Sequence, residues 1–229
     1  MFRDREEAGR LLAAALVERH LSDPIVVALP RGGVPVVAPV AQALHAPLDL
    51  LLLRKIGAPD QPELAVAAVE EGTPPSVVVD EQTLGWPGSD HEYVAREAQE
   101  QVKEIERRRR VYLRGVPRLP LAGRTVVLVD DGLATGTTSR AALQAIRRQH
   151  PPRVVLAVPV GSSQTVQQLS GAVDEVVCLL QPEFFGGVGD HYAGFHQVSD
   201  DEVMALPDAA RAVHGTANHL ADGQPLDAA

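Results

Sequence analysis

The sequence predicts an α/β fold: a doubly wound, mostly parallel sheet flanked by helices, with a small hood or flap over one edge. Three observations predict it. Apolar runs without polar alternation recur at 25–29, 48–53, 126–129, 153–158 and 174–180, as in strands covered on both faces. Helically spaced segments separate most of these runs, which favours crossover connections between parallel neighbours. No internal period suggests a repeat architecture. At 229 residues and 45% hydrophobic content, the chain can bury a large core. We read a single domain at 1–214, with a flap-and-helix insertion at about 56–115, a hood candidate at 181–198 and a tail at 215–229 expected to be disordered.

Composition narrows the function. A formal net charge of −9 argues against a general nucleic-acid binder, which needs a basic face to neutralise phosphates. The single cysteine, Cys178, lies in an apolar run; it excludes a disulfide within the chain and reads as a buried, inert thiol. The first residues are charged rather than signal-like, and no apolar run approaches the roughly 18 residues of a membrane span. A soluble, cytoplasmic protein without membrane partners is expected.

Taken in order, Asp4 three residues before Glu7 is a capping pair for a helix whose apolar positions are Ala8, Leu11, Leu12, Ala15 and Leu16, ending near His20. Pro24 precedes the first buried strand, 25–29, which runs into Pro30-Arg31-Gly32-Gly33. There, two glycines allow close approach of a ligand and Arg31 adds a planar fork suited to phosphate oxygens; an ordinary turn is the alternative. Pro39 places the start of the next regular helix nearer Ala38. The run 48–53 delivers Arg54 and Lys55 at its C-terminal end, the ligand side of an open α/β sheet. Residues 64–69 and 77–80 read as two strands of a flap. A helix from Ser89 or Asp90 to about Leu113 has a narrow apolar stripe and a charged outer face, where Glu104-Arg108 and Glu106-Arg110 have i,i+4 spacing. The arginines at 107–110 therefore read as a solvated face, with a contact to the site or a neighbouring subunit as the alternative.

The densest chemistry lies at 126–138, Val-Val-Leu-Val-Asp-Asp-Gly-Leu-Ala-Thr-Gly-Thr-Thr. A buried strand ends in the carboxylates Asp130 and Asp131. A loop of small and hydroxyl residues, Ala134, Thr135, Gly136, Thr137 and Thr138, then opens into a helix at 139–148, offering amides at a positive helix end: an anion site. Beyond it come a strand at 153–158, a turn at 159–163, a short helix at 164–169 and a last strand at 174–180. Four aromatics then fall within twelve residues, Phe184, Phe185, Tyr192 and Phe195, interleaved with glycines, although aromatics make up only 3% of the chain. A base-stacking pocket suits them, and a loop anchored on the core suits them equally. His191 and His196 read as surface or satisfied histidines. Ser199-Asp200-Asp201-Glu202 is a capping box for a final helix that Pro207 cuts short.

The order of hydrophobic strand, Asp-Asp and Thr-Gly-Thr-Thr loop resembles the ribose-phosphate signature of the type I phosphoribosyltransferases, over roughly residues 25–200. The resemblance implies that 134–138 wrap the 5′-phosphate of phosphoribosyl pyrophosphate, that Asp130 and Asp131 reach the ribose hydroxyls, and that Arg31, Gly32 and Gly33 hold pyrophosphate, with Arg31–Gly32 a candidate strained peptide. It further implies that Arg54 and Lys55 contact pyrophosphate at the base of a mobile loop. Mg²⁺ would bind mostly through the substrate, with Asp130 and Asp131 its candidate protein ligands. The spacing of Phe185, Val188-Gly189 and Tyr192 loosely resembles the segment that covers the purine in the hypoxanthine-type branch, and Phe184, Phe185 and Tyr192 are the candidate substrate-binding aromatics. The expected reaction is phosphoribosyl transfer to a nitrogenous base, with a purine-like base as the candidate, and the family commonly forms homodimers. A non-catalytic phosphoribosyl pyrophosphate or nucleotide sensor is the alternative, followed by a nucleotide hydrolase or phosphorylase.

Overall fold

A computed structural model of the chain describes residues 1–72, 75–81, 83–114 and 118–211. In chain order, α1 (Arg5–Val17) leads to β1 (Pro24–Ala28), α2 (Gly33–Ala43) and β2 (Leu48–Leu50). Three further strands follow, β3 (Leu53–Ala58), β4 (Gln61–Glu70) and β5 (Ser76–Val79), and then the long α3 (His91–Leu113). The second half runs β6 (Thr125–Val129), α4 (Thr137–Arg147), β7 (Arg153–Val160), α5 (Ser163–Ser170), β8 (Glu175–Leu180), a single 3-10 turn (Val188–His191) and α6 (Asp200–Arg211).

The main sheet has the order β2-β1-β6-β7-β8 with every pairing parallel. Its central strands β1, β6 and β7 are buried on both faces, as their apolar runs require, whereas the edge strand β2 holds the buried Asp49 and the edge strand β8 is mostly half-buried. Val26, Ala28, Val127 and Val129 face a core shared with Leu12 and Leu16 of α1 and Val36 and Val37 of α2. Ile25, Val27, Val126 and Leu128 face the opposite core, closed by Leu143 and Ile146 of α4 and Leu169 of α5. Each such side chain removed from water contributes about 1.5–3 kcal/mol, so the sheet is the rigid platform of the molecule. The chain moves outward from β1 to β2 and then returns to the other side of β1 at β6. That reversal opens a crevice at the C-terminal ends of β1 and β6, where open α/β sheets bind ligands.

β3, β4 and β5 form a separate antiparallel sheet, the flap expected from 64–69 and 77–80 with one more strand than anticipated. The extra strand comes from the run at 48–53, which splits: β2 stops at Leu50 and the chain crosses to the second sheet. Leu51 and Leu52 are both buried, one in each core, so nothing polar marks the break.

Local signals set most helix ends. Asp4 accepts from the Glu7 amide, Asp90 from the Tyr93 amide, and Ser199 and Glu202 bond each other's amides. Helix α2 corrects one expectation, since it starts at Gly33 rather than near Ala38 and contains Pro39. Proline forfeits one helical hydrogen bond, but Val34, Val36, Val37, Val40 and Ala41 are all buried, and that packing outweighs the loss. Helix α4 begins two residues early, at Thr137, and α6 continues past Pro207 to Arg211. The tail at 215–229 lies outside the described residues. Among the described residues, no helix is long and apolar enough to cross a membrane.

Candidate functional site

Two loops meet at the reversal point. β6 ends in Asp130 and Asp131, and the adjacent β1 ends in Pro30-Arg31-Gly32-Gly33. The loops touch because the second has no side chains to hold them apart. A Cβ on Gly33 would stand 2.8 Å from the Val129 carbonyl oxygen and 3.1 Å from the Asp130 Cα, and one on Gly32 would run into the Asp131 carboxylate. The cis peptide of this loop is Pro30–Arg31, one bond before Arg31–Gly32. Between the loops lies a cleft of about 510 Å³, lined by Arg5, Arg31, Gly32, Asp130, Asp131, Thr138 and the segment 195–198.

The acidic pair is tightly constrained. The Asp131 amide donates to Asp130 Oδ1 at 2.9 Å. Arg5 Nε donates to Asp131 Oδ2 at 2.9 Å, and the Tyr192 hydroxyl donates to the Asp131 carbonyl at 2.6 Å. Burial, and then the neighbouring Asp131 carboxylate, push the Asp130 carboxyl well above the usual range. Burial also raises Asp131, with the Arg5 guanidinium opposing the shift. The two carboxylates therefore titrate as a pair, and the pair holds protons more strongly than free aspartates do.

The loop after the pair has the form of an anion-receiving turn. Leu133 is pinned by its amide to the Val160 carbonyl, and the Thr165 hydroxyl donates to the Ala134 carbonyl. Gly136 then turns with φ +72°, and no side chain caps α4. The first amides of α4 have no partner within the helix and point outward beside the exposed Thr135, Thr137 and Thr138.

The structure thus brings Arg31, Gly32, Asp130, Asp131 and Thr138 into one cleft, with Gly33 beneath it and Ala134, Thr135, Gly136 and Thr137 in the adjoining loop. Arg31 Nη1 sits 3.4 Å from Asp200 Oδ1 at the start of α6. Other expected residues lie elsewhere. Arg54 and Lys55 belong to β3, not to the end of a parallel strand, and Arg54 Nε donates to Gln101 of α3 at 2.9 Å. Phe184 is 86% exposed, Phe185 stacks on the His191 ring, and Tyr192 is buried between Phe2 and Phe195. None of these three lines the cleft; Phe195 does. His196 pairs with Glu202, whereas His191 corrects the surface-or-satisfied reading, because its Nε2 is buried without a hydrogen-bond partner.

Sequence reasoning missed Arg5, which looked like one charge among Asp4, Glu6 and Glu7. Its helical phase was the available signal, since Arg5, Ala8, Leu12 and Leu16 follow one buried stripe. Among the described residues, no group of three or more His, Cys, Asp or Glu could cage a metal. Asp130 and Asp131 do suit Mg²⁺, which takes one or two carboxylates and fills its remaining positions with substrate phosphate and water.

Known proteins resemble this chain in sequence and fold. A model of the phosphoribosyl transferase domain matches residues 3–193. Proteins from two Mycobacterium tuberculosis strains, both named provisionally as phosphoribosyl transferases, are 44% identical over 211 residues, covering 92% of this chain and 47% of theirs. The chain thus spans about half the length of the curated relatives it matches. The crystal structure of TT1426 from Thermus thermophilus is 44% identical, covers 90% of this chain and 97% of that one, and superposes with a TM-score of 0.78.

Proposed function

The chain belongs to the phosphoribosyl transferase domain family, and from that premise we propose that it transfers the 5-phosphoribosyl group of phosphoribosyl pyrophosphate to a ring nitrogen of a small base, releasing pyrophosphate. One observation carries the reading: an acidic pair and an uncapped threonine-glycine loop share the crevice at the strand reversal, with Arg31 on its opposite wall.

The roles follow from the chemistry. The amides and hydroxyls of 134–138 receive the 5′-phosphate, as a helix N-terminus favours anions. Asp130 and Asp131 accept hydrogen bonds from the ribose hydroxyls. Arg31 binds pyrophosphate oxygens through its planar fork while Gly32 and Gly33 let the backbone close in. Phe195, which lines the cleft, offers the base a stacking face. Mg²⁺, when bound, neutralises pyrophosphate charge and makes it a better leaving group.

In the transfer, the bond from ribose carbon 1 to the pyrophosphate oxygen breaks and its electron pair leaves with pyrophosphate. The base nitrogen supplies the pair for the new bond, and its proton passes to solvent. Positive charge develops on the ribose, and the carboxylates of Asp130 and Asp131 stabilise it.

The test is a pyrophosphate-release assay with Mg²⁺, phosphoribosyl pyrophosphate and a panel of purine, pyrimidine and other nitrogen bases. Release with at least one base is expected, and the double variant Asp130→Asn, Asp131→Asn should abolish it without unfolding the protein. An equally active double variant would overturn the site. Tight binding with no pyrophosphate release from any base would favour a binding regulator, and ribose phosphate released without a base would indicate a hydrolase.

A further inference from the structure

The functional reading leaves Arg5 without a task, yet Arg5 is the most completely held charged side chain in the cleft. It is 6% exposed and makes three contacts of different kinds. Nε donates to Asp131 Oδ2 at 2.9 Å, Nη1 donates to the His196 carbonyl at 2.8 Å, and the guanidinium carbon lies 3.8 Å from the centre of the Phe195 ring. The side chains of Arg5 and Asp131 are 7% and 14% exposed, so the pair is largely desolvated, unlike the surface pairs along α3. Stability alone does not account for such a pair, because apolar residues of the same volume often serve a core as well or better.

The backbone delivers Arg5 to this place. The Phe2 amide donates to the His191 carbonyl, the Ala193 amide to the Phe2 carbonyl and the Gly194 amide to the Arg3 carbonyl, each at 2.8 Å. These bonds fasten residues 2–3 along 191–194, and the Asp4 cap then starts α1 at Arg5. One guanidinium consequently joins Asp131 to the segment 195–198 across the cleft. It occupies one carboxylate oxygen of Asp131 and supplies the only cation hydrogen-bonded to that carboxylate among the described residues.

We propose that Arg5 is a positioning residue that holds Asp131 oriented for the ribose hydroxyls and couples that orientation to the segment bordering the acceptor side of the cleft. The proposal rests on the phosphoribosyl pyrophosphate reading above. A cationic donor is the essential property, so lysine should preserve part of the effect and glutamine, shorter and neutral, should not.

The test is calorimetric titration of the full chain, as wild type, Arg5→Lys and Arg5→Gln, with phosphoribosyl pyrophosphate and separately with inorganic pyrophosphate, both with Mg²⁺. Thermal melts establish that each variant is folded. Phosphoribosyl pyrophosphate affinity should fall roughly tenfold or more in Arg5→Gln and by less in Arg5→Lys, while pyrophosphate affinity, which needs no ribose contact, stays within about twofold. Should Arg5→Gln fail to fold, a loss in Arg5→Lys confined to the ribose-bearing ligand supports the assignment equally. Unchanged phosphoribosyl pyrophosphate affinity in the variants, or a parallel loss for both ligands, overturns the assignment. If the wild type itself fails to bind phosphoribosyl pyrophosphate, the functional reading falls and takes the assignment with it, an outcome visible before any variant is measured.

Discussion

Gly136 is the position where backbone conformation and anion site are one feature, and Gly136→Ala separates their costs. Its φ of +72° lies in the left-handed region, where a residue with a Cβ costs about 1–2 kcal/mol. The new methyl also has nowhere to go. It would stand 2.6 Å from Thr165 Cγ2 and 3.2 Å from Leu169 Cδ1. Thr165 cannot rotate away freely, because it is buried, its hydroxyl donates to the Ala134 carbonyl, and that hydroxyl accepts from Ser162 Oγ at 2.8 Å. Overpacking of this kind costs about 1–3 kcal/mol. Together the two effects predict a loss of about 2–5 kcal/mol, or a Tm lower by roughly 4–20 °C for a domain of this size. Urea unfolding with a matched thermal melt measures it. The double variant Gly136→Ala, Thr165→Ser removes the obstructing methyl while keeping the hydroxyl, and should recover the packing share but not the backbone share. A single variant within about 0.5 kcal/mol of wild type, or a double variant with no recovery, would refute the reasoning.

Three further outcomes are expected. Glu71, 4% exposed, accepts from Arg109 Nη1 at 2.8 and 3.0 Å and from the Leu52 amide at 3.2 Å, with Arg118 Nε 3.7 Å away; Glu71→Ala removes these side-chain bonds, while Arg109 keeps Asp49 at 3.8 Å and Arg118 keeps its bond to the residue-71 carbonyl, and should cost about 1–3 kcal/mol in urea unfolding. Tyr192→Phe deprives the Asp131 carbonyl of its 2.6 Å donor and should cost about 1–3 kcal/mol, read the same way. Asp130→Asn should instead stabilise the ligand-free protein. The native carboxyl titrates above its unfolded value, so ionising it opposes folding. Its favourable contribution is complete below the unfolded pKa of about 4 and is lost as pH rises through the native value. The variant's higher Tm should therefore appear at neutral pH and vanish below about pH 4, and a Tm gain equal at both pH values would contradict the raised carboxyl.

The parallel sheet was legible because its cause is local. A strand covered on both faces must be apolar throughout, and the runs around Val26, Val127 and Val155 say so without reference to anything distant. Capping was legible for the same reason, since Asp4, Asp90 and Ser199 bond amides three residues ahead. The errors arose where tertiary packing overrode a local rule. Pro39 marks a helix break in isolation, but the valines around it are buried on both sides of the break. The run at 50–53 is all leucine because it crosses from one core to the other, so its composition hides the bend at Leu51 and Leu52.

The candidate site divides along the same line, and the division bears on how it works. Asp130, Asp131 and the loop to Thr138 are contiguous, so their chemistry is written in one stretch. Their environment is not. The cation that meets Asp131 comes from 126 positions earlier, the hydroxyl that holds its carbonyl from 61 positions later, and Arg31 faces an aspartate 169 positions away. Burial raises both carboxyls, the Asp131 carboxylate raises Asp130 further, and the Arg5 guanidinium opposes the shift at Asp131. What keeps such a pair poised is therefore a set of long-range contacts that no local pattern specifies, and those contacts exist only after the ends of the chain have closed over the sheet. Binding competence in this fold is accordingly a property of the folded whole, and variants at Arg5 or Tyr192 should alter ligand affinity although neither belongs to the signature stretch.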